Sequence, residues 1–281
     1  MYMKTANVLT NVLLGATIAF FGARSSQSAD NGPVLSALIS FVTPKASDSV
    51  GTQAGPIAAV SPATGPAELA LNALSGLVEP LSHPRALEDA FRGYFAYKSA
   101  HPADVKKPYL YFVDYGLPST KPRGYVFDMV AQTIVDGPFM VAQGRGSSSD
   151  KAGVPTVFSN RSGSATTSLG LYLADNVYGF TGHAGGRAYA SIGLRLKGQS
   201  TGFNDNAFAR GVVAHGAPYV TSTKAGRSEG CPAMETARAE RLLPKLANGG
   251  VVFLFAPQEN WMANDPWLAP GLSSTSVASA D

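Results

Sequence analysis

The chain has 281 residues, 45% of them hydrophobic, enough length and apolar content for one large domain or two small ones. Charged residues make up only 15%, well below the usual quarter, while glycine (30) and proline (19) are abundant, so a globular part is diluted by low-complexity sequence. The formal net charge of +3 comes without a Lys/Arg run or a basic–aromatic patch, so the electrostatic footprint of a nucleic-acid partner is missing.

In chain order, Lys4 precedes an apolar stretch, Val8–Ala23, that is followed by small and polar residues. This pattern predicts a secretory signal over residues 1–29, cleaved within Ser25–Ala29, and hence an exported protein of the periplasm or cell envelope. The apolar run falls short of the about 20 residues of a spanning helix, and Thr10, Asn11 and Thr17 interrupt it; an uncleaved anchor is the alternative. Residues 30–83 lack sustained periodicity and keep meeting proline and glycine, so they read as an Ala/Pro/Ser/Gly-rich linker. Within them Val34–Val42 and Leu69–Val78 are apolar enough to pack on a domain or form brief helices.

The main domain is expected over residues 84–258. Leu87, Phe91, Tyr94 and Phe95 lie at helical spacings, with Glu88 and Asp89 in a first turn and Pro102 as a stop, which predicts a helix between Pro84 and Pro102. The period then changes to two. Tyr109–Tyr115, Gly124–Val130 and Gly137–Gln143 read as strands, followed by 154–160, 168–175, 177–182, 189–196 and Gly211–His215. Asn204–Arg210 reads as a short capped helix and Met234–Asn248 as a longer one that Pro244 must bend or end. Gly250–Ala256 is a fully buried strand, and residues 259–281 read as a C-terminal tail. The fold class expected is mainly β with a few helices (α+β).

Cys231, the only cysteine, sits in "GRSEGCPAM". In an exported chain an unpaired cysteine is either a reactive thiol or a small buried hydrophobe. His215 ends the apolar run "GVVAH", and a loop rich in Gly, Ser and Thr joins it to Cys231, long enough to bring imidazole and thiol together. A histidine beside a cysteine lowers the thiol pKa and takes its proton, whereas a lone histidine is more often an ordinary structural one. Gly230 allows close backbone approach. Pro232 suits the first turn of a helix whose dipole favours a thiolate, and the N–H groups of Gly230 and Cys231 are candidate oxyanion donors. A zinc site from His183, His215 and Cys231 lacks any standard ligand spacing. Arg227 and Arg145 are each either carboxylate ligands or loop braces. Tyr219 is placed as a cleft wall, while Asn204 and Asn206 offer amides to a peptide or cap the predicted short helix.

With these residues in view, the chain resembles the L,D-transpeptidase catalytic domain family (YkuD-like), whose signature is a His followed by Ser-x-Gly-Cys, here His215, Ser228, Gly230 and Cys231. The likeness is closer to the murein branch with "GRS-x-GCPA", and continues through "VDYGLPSTKPR", "VAQGRGS", "FSNRSGSATTSLGLY" and "GFNDNAFARGVVAHGAPYV". Glu229 and Ala233 depart from the pattern of relatives. The resemblance implies the family's β-rich fold, no metal, no organic cofactor and peptidoglycan stem peptides as donor and acceptor, with Ser228 among the residues that meet them. It implies Cys231 as nucleophile, His215 as its base and the Gly216 carbonyl as the group orienting the imidazole. Cross-links between third-position residues are the commoner outcome in the family, and first-to-third links stay open. It also implies carbapenem-type acylation. Hydrolysis of the same acyl-enzyme, or a wall-binding module without catalysis, are the alternatives.

Overall fold

The computed structural model describes residues 64–268; the expected signal segment and Val34–Val42 lie outside them. Ten strands form around four helices, so the protein is mainly β with a few helices among the described residues. The principal sheet contains β1 (Tyr109–Asp114), β2 (Gly124–Asp128), β3 (Thr133–Phe139), β5 (Gly170–Ala184), β6 (Arg187–Gly198), β7 (Val213–Gly216), β9 (Ala233–Met234) and β10 (Val251–Phe255). Its order is β3-β2-β1-β10-β5-β6-β7-β9. Only β1–β10 and β7–β9 run parallel. A separate parallel pair joins β4 (Gln143–Gly144) to β8 (Arg227–Ser228).

Helix α2 (Ala86–Ala100) forms where the periodicity predicts one, with Leu87, Ala90, Phe91, Tyr94 and Tyr97 buried as one stripe. That face lies on β1, β5 and β10, whose five residues Val251–Phe255 are all buried as a central strand requires. Helix α3 (Thr236–Leu246) buries Ala239, Leu242, Leu243 and Leu246 against β6 and β7. Pro244 falls in its last turn, and Glu240, the residue whose carbonyl it deprives of a helical donor, is exposed to solvent.

Several expectations are corrected. Residues 154–160 form an irregular segment rather than a strand, because Pro155 interrupts it and the amides of Thr156 and Val157 turn back to Ser147 O (2.8 and 3.1 Å). The two strands expected over 168–175 and 177–182 are one, β5, with a register shift between Ala174 and Val177 that absorbs the polar Asp175–Asn176. Its hairpin partner β6 follows a tight turn through Gly185 and Gly186, both with positive φ (57° and 79°). Residues 204–210 make successive turns with mixed three- and four-residue hydrogen bonds, not a helix. The helix expected from Met234 begins two residues later, since Ala233 and Met234 are taken by β9.

Order also extends beyond residues 84–258. Helix α1 (Pro66–Leu74) and a following 3-10 turn (Ser75–Leu77) occupy ground read as linker, and Ala70 and Leu74 join the core. At the other end, α4 (Glu259–Asn264) buries Trp261 against Phe253 and Phe255, so the first part of the expected tail belongs to the core.

One buried cation positions the region leading to the thiol. Arg123 is fully buried, and donates to Leu117 O (2.7 Å) and Val141 O (3.1 and 2.8 Å), as well as to the Gln143 side chain. Its guanidinium lies 4.8 Å from the Tyr115 ring centre. Burial pulls its pKa down to about 10, so it remains charged, and its fork fixes the backbone that enters β4.

Candidate active site

The loop bearing Cys231 is held from both ends. Before it, β8 pairs with β4, aligning Gly144 with Ser228. After it, β9 pairs with β7, aligning Ala233 with His215, and the His215 N–H approaches Pro232 O at 3.4 Å. Between these anchors the Ser228 hydroxyl accepts from the Gly230 N–H (3.1 Å) and donates to Cys231 O (2.7 Å), closing a tight turn. Gly230 has φ of 127°, and a Cβ there would stand 2.7 Å from Thr166 O. Only glycine fits.

This framework lays the half-buried Cys231 thiol against the chain entering β7, two residues before His215. The Sγ–H makes a weak contact to Gly211 O at 4.0 Å. Burial pushes the thiol pKa up; the Val213 backbone bond and the Arg210 charge oppose the rise, and Glu229 adds to it. Two expected aids to a thiolate are therefore corrected. No helix N-terminus lies behind Cys231, because β9 intervenes before α3, and the thiol is raised rather than lowered.

His215 is 3% exposed, and its ring stacks on Phe180 with centroids 4.4 Å apart. Burial pulls its pKa down, partly opposed by the bond to Gly216. Nδ1 lies 3.0 Å from Gly216 O. A carbonyl only accepts, so Nδ1 carries the proton and Nε2 holds the free lone pair. No hydrogen bond joins the two side chains in this structure, and burial disfavours the charged form of each.

The remaining expected residues sort by what they touch. Ser228 is buried with its hydroxyl bonded twice inside the turn, so it braces the thiol loop. The Gly230 N–H is likewise committed to Ser228, while the Cys231 N–H donates to no described residue; of the two expected oxyanion donors, only Cys231 is free. Asn206 is exposed and bonds to Asn160 (3.1 and 3.4 Å). Asn204 is buried, receiving the Ser200 N–H (2.8 Å) and donating to Leu171 O (2.9 Å). Ala233 is wholly buried among Met140, Ala142 and Ala217, which explains its small size by packing. Arg145 pairs with Glu229 (2.8 Å), joining an expected contact residue to one of the two departures. Arg227 spends one bond on Ser148 O (3.2 Å).

Arg227 and Tyr219 also line a cleft of about 480 Å³ that adjoins the thiol loop without containing Cys231. Lys151, Lys224 and His183 add basic groups to its wall, and no carboxylate lines it. Among the described residues, no group of three or more His, Cys, Asp or Glu is placed to hold a metal ion.

Two residues near the thiol escaped sequence reasoning. Arg210 donates to Ser159 O (2.8 Å), Ser168 Oγ (3.2 Å), Ser164 Oγ (3.3 Å) and Thr166 O (2.9 Å), so it organises the loop whose Thr166 carbonyl faces Gly230. Its only sequence signal was a cation just before "GVVAH". Phe180, the stacking partner of His215, looked like any strand aromatic.

Among solved structures, an L,D-transpeptidase from Stackebrandtia nassauensis is 16% identical, covering 65% of this chain and 69% of that one with a TM-score of 0.33. An L,D-transpeptidase in complex with imipenem is 12% identical, covering 53% and 59%, TM-score 0.32. L,D-transpeptidase 3 from Mycobacterium tuberculosis is 12% identical, covering 53% and 61%, TM-score 0.31. No curated protein matches the chain. The L,D-transpeptidase catalytic domain family matches residues 79–255, well over half of the sequence, and the chain belongs to that family.

Proposed function

We propose that this protein is an exported, cysteine-dependent L,D-transpeptidase that cross-links peptidoglycan stem peptides. The observation that carries the reading is the braced loop that sets Cys231 beside the strand of His215, whose Nδ1 is engaged by Gly216 O and whose Nε2 is left as a base. Cys231 Sγ attacks the carbonyl carbon of an L-residue joined to a D-residue, and His215 Nε2 takes the thiol proton as the C–S bond forms. Because burial disfavours the charged form of each group, this proton moves as attack proceeds. The Cys231 N–H meets the developing oxyanion. The C–N bond breaks, His215 returns the proton to the leaving amine, and a thioester remains. An amine of a second stem peptide then replaces the thiol.

The cleft walled by Lys151, Lys224 and Arg227 suits the carboxylates of stem peptides. We assign the third-position carbonyl as the donor, giving links between two third-position residues. A carbapenem, whose strained β-lactam carbonyl is an acyl donor to a thiol, should acylate Cys231. The test is incubation of the purified protein with a defined tetrapeptide muropeptide, reading product masses. Transfer gives a dimer lacking one D-residue. Tripeptide monomer alone would make the protein a hydrolase, and a first-to-third dimer would move the attacked bond to the one after position one.

A further inference from the structure

The parallel pairing of β4 with β8 aligns Gly144 with Ser228, so the next residue of each, Arg145 and Glu229, stand side by side at the edge of the thiol loop. Arg145 Nε reaches both carboxylate oxygens of Glu229, at 2.8 and 2.9 Å. The two side chains stay 60% and 71% exposed. Nη1 and Nη2 of Arg145 bond to no described residue, and each Glu229 oxygen keeps a lone pair. The ion pair can therefore take a further partner on each half without opening.

Neither the fold nor the nucleophile accounts for this pair. Exposed ion pairs add little to stability. The Glu229 charge, two residues from Cys231, also works against thiolate formation. What the pair offers is a neutral patch with a cationic half and an anionic half, next to the atom that would carry the acyl group.

We propose that Arg145 and Glu229 form the acceptor subsite, recognising an amine that bears a carboxylate on the same carbon, the zwitterionic end of an amino acid. The carboxylate lies on the free Nη groups of Arg145, and the ammonium on Glu229. The inference rests on the thioester reading above and names the substrate class of its second half-reaction. The ammonium releases one proton to solvent and becomes the nucleophile. Its nitrogen bonds to the thioester carbonyl carbon, the C–S bond breaks, and a second amine proton passes through His215 to Sγ, leaving an amide and a free thiol. An amine without the carboxylate loses the Arg145 contacts. Glu229, which departs from the pattern of relatives, thereby gains a role in holding the acceptor amine and orienting Arg145.

The experiment supplies one tetrapeptide donor with D-alanine or D-alaninamide as competing acceptors, and reads the ratio of the two products by mass spectrometry. The ratio cancels any effect on the first half-reaction. The wild-type protein should favour the zwitterion. R145Q should shift the ratio toward the amide by about tenfold, whereas E229Q, which loses the contact to the ammonium that both acceptors carry, should leave the ratio unchanged and lower transfer relative to hydrolysis by about tenfold. The double variant R145E/E229R restores an ion pair in reverse order, and should remain shifted. An unchanged ratio in R145Q, undiminished transfer relative to hydrolysis in E229Q, or full recovery in the double variant overturns the inference while leaving the thioester reading intact. Absence of any thioester on the wild-type protein by intact mass contradicts both.

Discussion

At the scale of single residues, the thiol and imidazole are held neutral by burial, and this has a measurable signature. A preformed thiolate–imidazolium pair would react with iodoacetamide well below pH 7. Here the thiol pKa is raised above its ordinary value near 8.5, so the thiolate fraction is small at neutral pH and grows as pH rises through and beyond that value. The alkylation rate of Cys231 should climb steadily from pH 7 to 10 with no plateau between pH 5 and 7; such a plateau contradicts the neutral pair. Gly230→Ala should place a Cβ 2.7 Å from Thr166 O at a positive φ, costing about 1–3 kcal/mol in urea unfolding and most of the activity. A stable, active variant would show that the turn is not fixed by this contact. The sequence motif made Cys231, His215 and Gly230 legible because their chemistry is local. The bracing role of Ser228 was not legible, because a hydroxyl three residues from a nucleophile looks the same in sequence whether it faces substrate or its own backbone.

At the scale of elements, the thiol loop depends on segments distant in sequence. Arg210 fastens residues 159–168, and the same loop is tied to the end of β4 through Gly144 N–H to Thr167 Oγ1 (3.0 Å) and Thr167 N–H to Ser147 Oγ (2.9 Å). Arg210→Lys keeps the charge but loses the planar fork that serves four acceptors at once. We expect it to speed amide hydrogen exchange across 159–168 and to lower turnover about tenfold, with the far edge β2–β3 unaffected. Unchanged exchange in that loop counts against Arg210 as its organiser. Strands and the long helices were readable from periodicity because their burial is one-sided or complete. The turns over 204–210 were not, since local helical spacing there yields to Asn204, whose side chain bonds Ser200 and Leu171 across the sheet. The start of α3 was likewise misplaced because pairing of Ala233 with His215 draws β9 into the sheet, a long-range contact with no local signal.

At the scale of the whole molecule, the described residues share a main core that reaches past both expected boundaries. Trp261 is 2% exposed, packs on Phe253 and Phe255, and donates to Asp265 (2.7 Å). Trp261→Ala should cost about 3–5 kcal/mol, read as a lower urea midpoint, even though α4 is only six residues long. A midpoint shift within error would restore these residues to a dispensable tail. Such a short helix among prolines offers too few turns for a periodic signal, which is why it read as tail. The eight-stranded sheet brings the strand of His215 beside that of Ala233, and so joins two halves of a site separated by a loop in sequence.

The central claim is that Cys231 is the acyl-carrying atom. Its most direct measurement is the intact mass of the protein after incubation with a tetrapeptide muropeptide donor, followed by peptide mapping. The account predicts a mass gain equal to the donor minus the free D-amino acid it releases, located on Cys231 and absent from a folded Cys231→Ala variant. Cross-linked dimers made by Cys231→Ala, or an adduct on any other residue, would contradict it.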